Sequence, residues 1–566
     1  RNKRLVNIVT GVLTGLLGGR SLVQLPRESF VVSHQELDAI VIGAGIAGLY
    51  AIYRFREIGL SVKAFEKGDG VGGTWYWNRY PGARCDVESW DYSYSFSEEL
   101  EQEWDWTERY PTQPEVERYL NHVADRFDLR RDIEFGTRVD QARFDEEQNK
   151  WIIRTSEDET VSARYLVSAA GALSESFTPK FNGAETFAGE QYHTASWPAV
   201  GVDLANKRVG VIGTGSTGVQ LIPQVAKLAK RLFVFQRTAQ YAVPARNYLL
   251  DEDLRRDLKS DFRQRCEDKR ANPVGVSNFP TDPPSALEVD VDTRREILEA
   301  SWQRGGAPAV SRSFSDTVTN IEANHHVSQF VSQKIREKVD DPEVADKLLA
   351  IDHPLGSRRL IVDIDYFETY NRGNVTLVDT KSSPIEEITP QGVRTGDSEY
   401  NLDVLVYATG FDGMSGALLS VDIQGIGGLP LRTKWADRPS AFLGLVAAGF
   451  PNLFMITGPG SPAVFSNVIF AIEQHVEWIT DCLAYMDEHD LDRIDADLEA
   501  ETHWTQHVDE VAKNVLVGKT KSWWTGENIP GKPSGLTMYL GGTHTYQAKL
   551  DEVAHNGYEG FTFQTR

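Results

Sequence analysis

Asp38–Leu60, DAIVIGAGIAGLYAIYRFREIGL, decides the fold. A short apolar run leads into Gly43, Gly45 and Gly48 in G-x-G-x-x-G spacing, and a helical pattern follows as far as Gly59. In such a strand-turn-helix unit the first glycine permits the tight turn, the second lets the backbone approach a pyrophosphate, and the third lets helix and strand pack closely. The helix N-terminus then offers unpaired N–H groups and a partial positive charge to phosphate. The next apolar run, SVKAFEK, brings Glu66 to the distance at which a ribose-binding acid belongs. Strand, loop, helix and acid agree, so this unit is predicted to bind a dinucleotide.

Lys207–Thr238, KRVGVIGTGSTGVQLIPQVAKLAKRLFVFQRT, repeats the design with Gly213, Gly215 and Gly218. At the end of its second strand stand Arg237 and Thr238 instead of an acid. A guanidinium presents several donors in a fixed fork to phosphate oxygens, whereas a carboxylate would repel them, so the substitution fits a 2′-phosphate in place of a 2′-hydroxyl. The second unit is therefore predicted to take NADPH. Two dissimilar strand ends imply two dissimilar dinucleotides, and FAD beside NADPH is the pair that lets a flavin accept a hydride and pass electrons on.

The whole chain limits the alternatives. Its 566 residues exceed what one core usually supports, so two or three domains are expected. A net charge of -23 disfavours nucleic acid and anionic membrane surfaces as partners. Cys85, Cys266 and Cys482 form no C-x-x-C pair, which points away from a disulfide framework and toward a reducing, cytoplasmic setting. The apolar run Leu5–Leu17 is too short to span a bilayer; it reads either as a targeting remnant or as a packed or frayed extension. No stable membrane span is expected elsewhere.

Between the fingerprints, residues 132–156 and 163–171 read as strands completing the first fold. A second strand-rich stretch spans residues 374–411. From about Leu250 to Ala350 the pattern turns to charged helices broken by ANPVGVSNFPTDPPS, read as a helical insertion and a cover over the cofactor cleft. A long helix, SNVIFAIEQHVEWITDCLAYM, follows ITGPGSPAVF; it is either a packing helix or one whose N-terminal dipole faces the flavin. The expected fold is thus α/β, two Rossmann-like dinucleotide-binding domains for FAD and NADPH with a helical insertion. Residues 1–37 form an extension, 38–173 and 412–566 the FAD-binding domain, 174–241 and 355–411 the NADPH-binding domain, and 242–354 the insertion. No metal-ligand spacing is visible: His325 and His326 are adjacent on an expected helix and do not face one site.

FAGEQYHTASW, with Phe187, Gly189, His193 and Trp197, resembles the fingerprint of flavin-dependent Baeyer-Villiger monooxygenases, and it lies between the two glycine-rich loops. GGTWYWNRYPGARCDVES, HPLGSRRL, DVLVYATGF, GPGSPAVFSN and SWWTGENIPGKP resemble further family segments, nearest to the phenylacetone and steroid monooxygenase branch. The resemblance implies an NADPH- and O2-dependent flavoprotein, expected as a monomer, that converts hydrophobic ketones to esters or lactones through a flavin C4a-peroxide, with side sulfoxidation. It implies Arg359 as the cation that shelters the anionic oxygen, and Asp86 as its partner. It further implies cofactor contacts from Thr74, Trp75, Ser216, Thr217, Arg358 and Trp523, a structural role for His193, and a ketone pocket of Val87, Leu173, Ala463, Val464 and Phe465. Arg358 stands where the family often has lysine, and Trp524 departs from the usual residue. The rivals are an N- or S-oxygenating flavin monooxygenase, a disulfide reductase, for which the dithiol is missing, and a noncatalytic NADPH sensor.

Overall fold

The computed structural model describes residues 36–396, 398–520 and 522–566. The first strand, β1 (Glu36–Ile42), starts two residues ahead of the expected boundary, and residues 1–35 of the extension lie outside the described residues. β1 is followed by α1 (Ile46–Glu57) and β2 (Val62–Glu66). Ala39, Ile40 and Val41 are fully buried, as an unbroken apolar run in a parallel sheet must be when both faces are covered. β1 lies between β2 and the strand Thr160–Ser168, parallel to both. Ile133–Phe135 extends this sheet beyond β2, and Val139–Asp145 and Lys150–Thr155 continue it antiparallel on the other side. Leu453–Met455 adds in parallel to the carboxyl end of Thr160–Ser168, so the C-terminal part of the chain returns to the first sheet.

The second sheet is built on β3 (Arg208–Ile212), α2 (Ser216–Leu228) and β4 (Arg231–Gln236). Five parallel strands run in the order Val375–Asp379, β4, β3, Val404–Tyr407, Glu190–His193. The strand-rich stretch at 374–411 therefore supplies two strands here, and its middle forms a separate three-stranded antiparallel sheet.

Residues between Ala242–Pro244 and Ile361–Asp363, two strands that pair in parallel, are largely helical as expected. None of them lines the main cleft, but Val276, Asn278, Gly305 and Ala309 line a small adjoining cavity together with Asp86 and Val87, which also face the cleft. The apolar faces of these helices, including Leu298, Trp302, Val327 and Val331, are consumed in a core shared with β3, α2 and β4. The insertion is thus a wall, and Arg109 ties it to the first fold by donating to Arg304 O at 2.8 Å while pairing with Glu88 at 2.6 Å.

The long helix α3 (Val468–Glu488) packs against α1 and buries Glu473, which accepts from Ser95 N at 2.5 Å and Ser95 Oγ at 2.6 Å. Burial raises this carboxyl from 4.5 to about 7, and the charge of Lys269 only partly opposes it. A raised folded value means that the contribution to stability is full below about 4.5 and is lost as pH rises through about 7. Glu473→Gln should remove that slope. Its melting temperature relative to wild type is expected to be higher at pH 8 than at pH 5, by the equivalent of at most about 3 kcal/mol; equal offsets at both pH values would contradict it.

Candidate active site between two glycine-rich loops

The two fingerprints fold alike. Gly43 N donates to Phe65 O at 2.9 Å and Gly213 N to Phe235 O at 3.1 Å, so each loop leaves its strand in the same way. A methyl on Gly48 would lie 1.9 Å from Gly43 O, and one on Gly218 would lie 2.3 Å from Gly213 O, so only glycine lets each helix approach its strand. Both loops open onto one cleft of about 1100 Å³ at the carboxyl ends of the parallel strands, the edge at which open α/β sheets bind ligands.

Gly43, Gly45, Glu66, Thr74 and Trp75 line the first end of this cleft. Glu66 is held by Ala44 N and Gly68 N, each at 2.8 Å, and its carboxylate retains acceptor capacity toward the cleft. Gly213, Gly215, Ser216, Thr217, Arg237 and Thr238 line the other end. Thr214 Oγ1 donates to Thr238 O at 3.1 Å and so fixes the loop to the strand end. Arg358 lies in the field of Arg237: burial and then the neighbouring positive charge press its guanidinium below its ordinary value. Two mutually repelling cations at the end of a nucleotide-binding strand fit a dianionic phosphate. The donor set thus suits one dinucleotide with free ribose hydroxyls and one with a 2′-phosphate.

Arg359 and Asp86 meet where the ends converge, and both line the cleft. Nε and Nη2 donate to the two carboxylate oxygens at 2.7 and 2.6 Å, a bidentate fork, and Nη1 donates to Val464 O at 2.8 Å. Burial opposes the charge on each, but the mutual attraction prevails, holding Asp86 below the usual carboxylate range and Arg359 above its own. The remaining exposure, 31 % for Arg359 and 20 % for Asp86, belongs to side chains on the cleft wall. The arrangement fixes the orientation of the Arg359 guanidinium, charge-paired with Asp86, on the wall of the cleft.

Val87, Leu173 and Val464 line the cleft, whereas Ala463 and Phe465 do not. Ala463–Phe465 is a single 3-10 turn, which presents one of three successive side chains to the cleft; Ala463 is fully buried, and Phe465 packs edge-on to Trp524 at 6.2 Å. Trp523 lines the cleft, while Trp524 is buried packing. Phe187, Gly189, His193 and Trp197 stand away from the cleft lining. His193 Nδ1 accepts from Ala195 N at 3.0 Å, which leaves its Nε2–H facing Phe177 O at 3.4 Å and Thr409 Oγ1 at 3.3 Å. Burial lowers its pKa, and the ring bridges the two connections that join the sheets, at Phe177 and Thr409.

Sequence reading overlooked Gln220. Its Oε1 accepts from Tyr80 Oη at 2.7 Å and its Nε2 donates to Arg84 O at 3.0 Å, clamping α2 to the loop that leads into Asp86.

Comparison with known proteins agrees with this geometry. Residues 40–275 match the family profile described as pyridine nucleotide-disulphide oxidoreductase; the chain's three cysteines are nonetheless free, buried thiols. A phenazine N-monooxygenase of Lysobacter antibioticus is 45 % identical over 93 % of this chain and 96 % of its own length. A Baeyer-Villiger monooxygenase of Pseudooceanicola batsensis is 42 % identical over 92 % and 95 %. The structure of an oxidised steroid monooxygenase bound to NADP superposes with a TM-score of 0.90 at 49 % identity, covering 94 % of this chain and all of that one. A shared two-nucleotide fold, the fingerprint between its glycine loops and identity along almost the whole length place this chain in the family of flavin-dependent Baeyer-Villiger monooxygenases.

Proposed function

We propose that this enzyme uses NADPH and O2 to insert one oxygen atom beside the carbonyl of a hydrophobic ketone, giving an ester or lactone. The observation that carries the reading is the bidentate Asp86–Arg359 pair at the junction of two dinucleotide sites. FAD, when bound and reduced by NADPH, supplies the activated oxygen. The glycine loop at Gly43–Gly48 and Glu66 hold FAD, with Thr74 and Trp75 beside it. Gly213–Gly218, Ser216, Thr217, Arg237, Thr238, Arg358 and Trp523 hold NADPH.

Arg359 stabilises negative charge as it develops on oxygen, and because it is already oriented by Asp86 and Val464 O it does so without reorganisation. Val87, Leu173 and Val464 give the ketone an apolar wall and keep water from competing. The domains proposed are residues 36–173 and 412–566 for FAD, 174–241 and 355–411 for NADPH, and 242–354 as the supporting wall, the first limit moved from 38 to the start of β1. A monomer in the cytoplasm is the setting proposed. The free, buried cysteines fit a reducing compartment, and no helix among the described residues is long and apolar enough to cross a membrane.

NADPH and O2 consumption should rise when phenylacetone or a cyclic ketone is added, and mass analysis should find a product one oxygen heavier. Hydrogen peroxide alone across a broad ketone panel would contradict the reading. The relationship to a phenazine N-monooxygenase favours a second one, oxygenation of an aromatic nitrogen. N-oxide formation from phenazines with no ester from any ketone would establish that one instead, and absence of any NADPH oxidation would favour a sensor.

A further inference from the structure

Thr457 is β-branched yet has a left-handed backbone, φ 59°. That conformation is costly for such a residue and persists only where its surroundings impose it. It sits just past the carboxyl end of Leu453–Met455, the strand added to Thr160–Ser168, and it lines the cleft. Its N–H points away from the cleft and donates at 2.9 Å to Nδ1 of His475, a fully buried residue of α3. Since Nδ1 accepts, the ring proton is on Nε2, and that atom is buried without a hydrogen-bond partner. The ring stands edge-to-face with Tyr546, 5.4 Å between centroids at 67°.

A leucine here would avoid the uncompensated N–H, so packing alone does not call for an imidazole. What the imidazole supplies is an acceptor for an otherwise orphaned backbone N–H. Burial lowers its pKa from 6.5 to about 3, so the acceptor is present throughout the neutral range. The brace closes on itself: Tyr546 Oη donates to Leu443 O at 2.6 Å, and the adjoining Gly444 lies so close to Ser461, at the end of the turn begun by Thr457, that a methyl on it would meet Ser461 at 2.7 Å.

We propose that His475 is a positioning residue for the FAD site, holding the Thr457 turn in its strained shape against the cleft from inside the core. The proposal rests on the reading of that end of the cleft as the FAD site. His475→Phe keeps an aromatic ring against Tyr546 but removes the acceptor. His475→Asn removes the ring but places Oδ1 as many bonds from Cα as Nδ1 was. Each full-length chain, stripped of flavin, is titrated with FAD and followed by flavin fluorescence, and the absorption spectrum of the bound flavin is recorded.

The expected result is at least tenfold weaker FAD binding and an altered visible band for His475→Phe, with His475→Asn within threefold of wild type. Wild-type affinity and spectrum in His475→Phe would overturn the proposal. So would a loss in His475→Asn as large as in His475→Phe, or, should His475→Phe not fold, a tenfold loss in His475→Asn alone, because the ring and not the acceptor would then matter. A wild-type chain that binds no FAD would overturn the cofactor reading and this one together.

Discussion

Arg359→Ala is expected to lower ester formation by at least about 10²-fold while NADPH is still oxidised, the electrons appearing as hydrogen peroxide. The scale follows from what one preorganised donor contributes when charge develops in an enclosed site, roughly 10²–10³ in rate. Two controls locate the effect. Arg359→Lys keeps the charge but cannot make the two-pronged contact with Asp86 and reach Val464 O at once, so it should recover only part of the loss. Asp86→Ala leaves the cation in place but frees it to rotate, so its cost should be smaller, about 10–10²-fold, and should show as poorer coupling of NADPH oxidation to product. The sign of the pH dependence is also fixed. Asp86 has a depressed pKa, so the pair is intact above the ordinary carboxylate value of 3.8 and is lost only as pH falls through the lower folded one. A neutral-range inflection in the coupling ratio must then come from another group. Product analysis beside peroxide measurement checks all three variants; an Arg359→Ala enzyme that still couples NADPH to ester would refute the role.

The sequence made legible those features that local spacing determines. Three glycines, a helix and a strand-end acid or base lie within about thirty residues in each fingerprint, so chain geometry alone brings Glu66 and Arg237 to their places. Arg359 and Asp86, 273 positions apart, could be paired only through family resemblance. Where that resemblance treated Ala463, Val464 and Phe465 alike, the local turn separated them, since a 3-10 turn cannot aim three successive side chains at one space. Gln220 with Tyr80 and His475 with Thr457 were unreadable for a different reason. Each joins elements whose contact is set by how the sheets and helices pack, and nothing in a single sequence marks which glutamine or histidine faces inward. The packing of the insertion was unreadable for the same reason: charge and proline content describe its solvent side, while its apolar positions commit it to the second core.

Arg237→Ala should reduce kcat/KM for NADPH by about 10–10²-fold and leave NADH within about twofold, because a charge-assisted contact to phosphate contributes roughly 1.5–3 kcal/mol and only NADPH carries that phosphate. Arg358→Ala should act in the same direction. The double variant should lose less than the product of the two single losses, since removing either cation relieves the repulsion that Arg358 feels from Arg237, which the Asp352 carboxylate only partly offsets. Salt gives an independent readout. Arg237 is exposed and its attraction for the phosphate is screened, so KM for NADPH should climb between 0.05 and 0.5 M salt, to roughly the level of the variant, while KM for NADH stays flat. Steady-state kinetics with both nucleotides across that salt range test the assignment. Equal losses for NADPH and NADH in Arg237→Ala would mean that the residue shapes the strand end without meeting the phosphate.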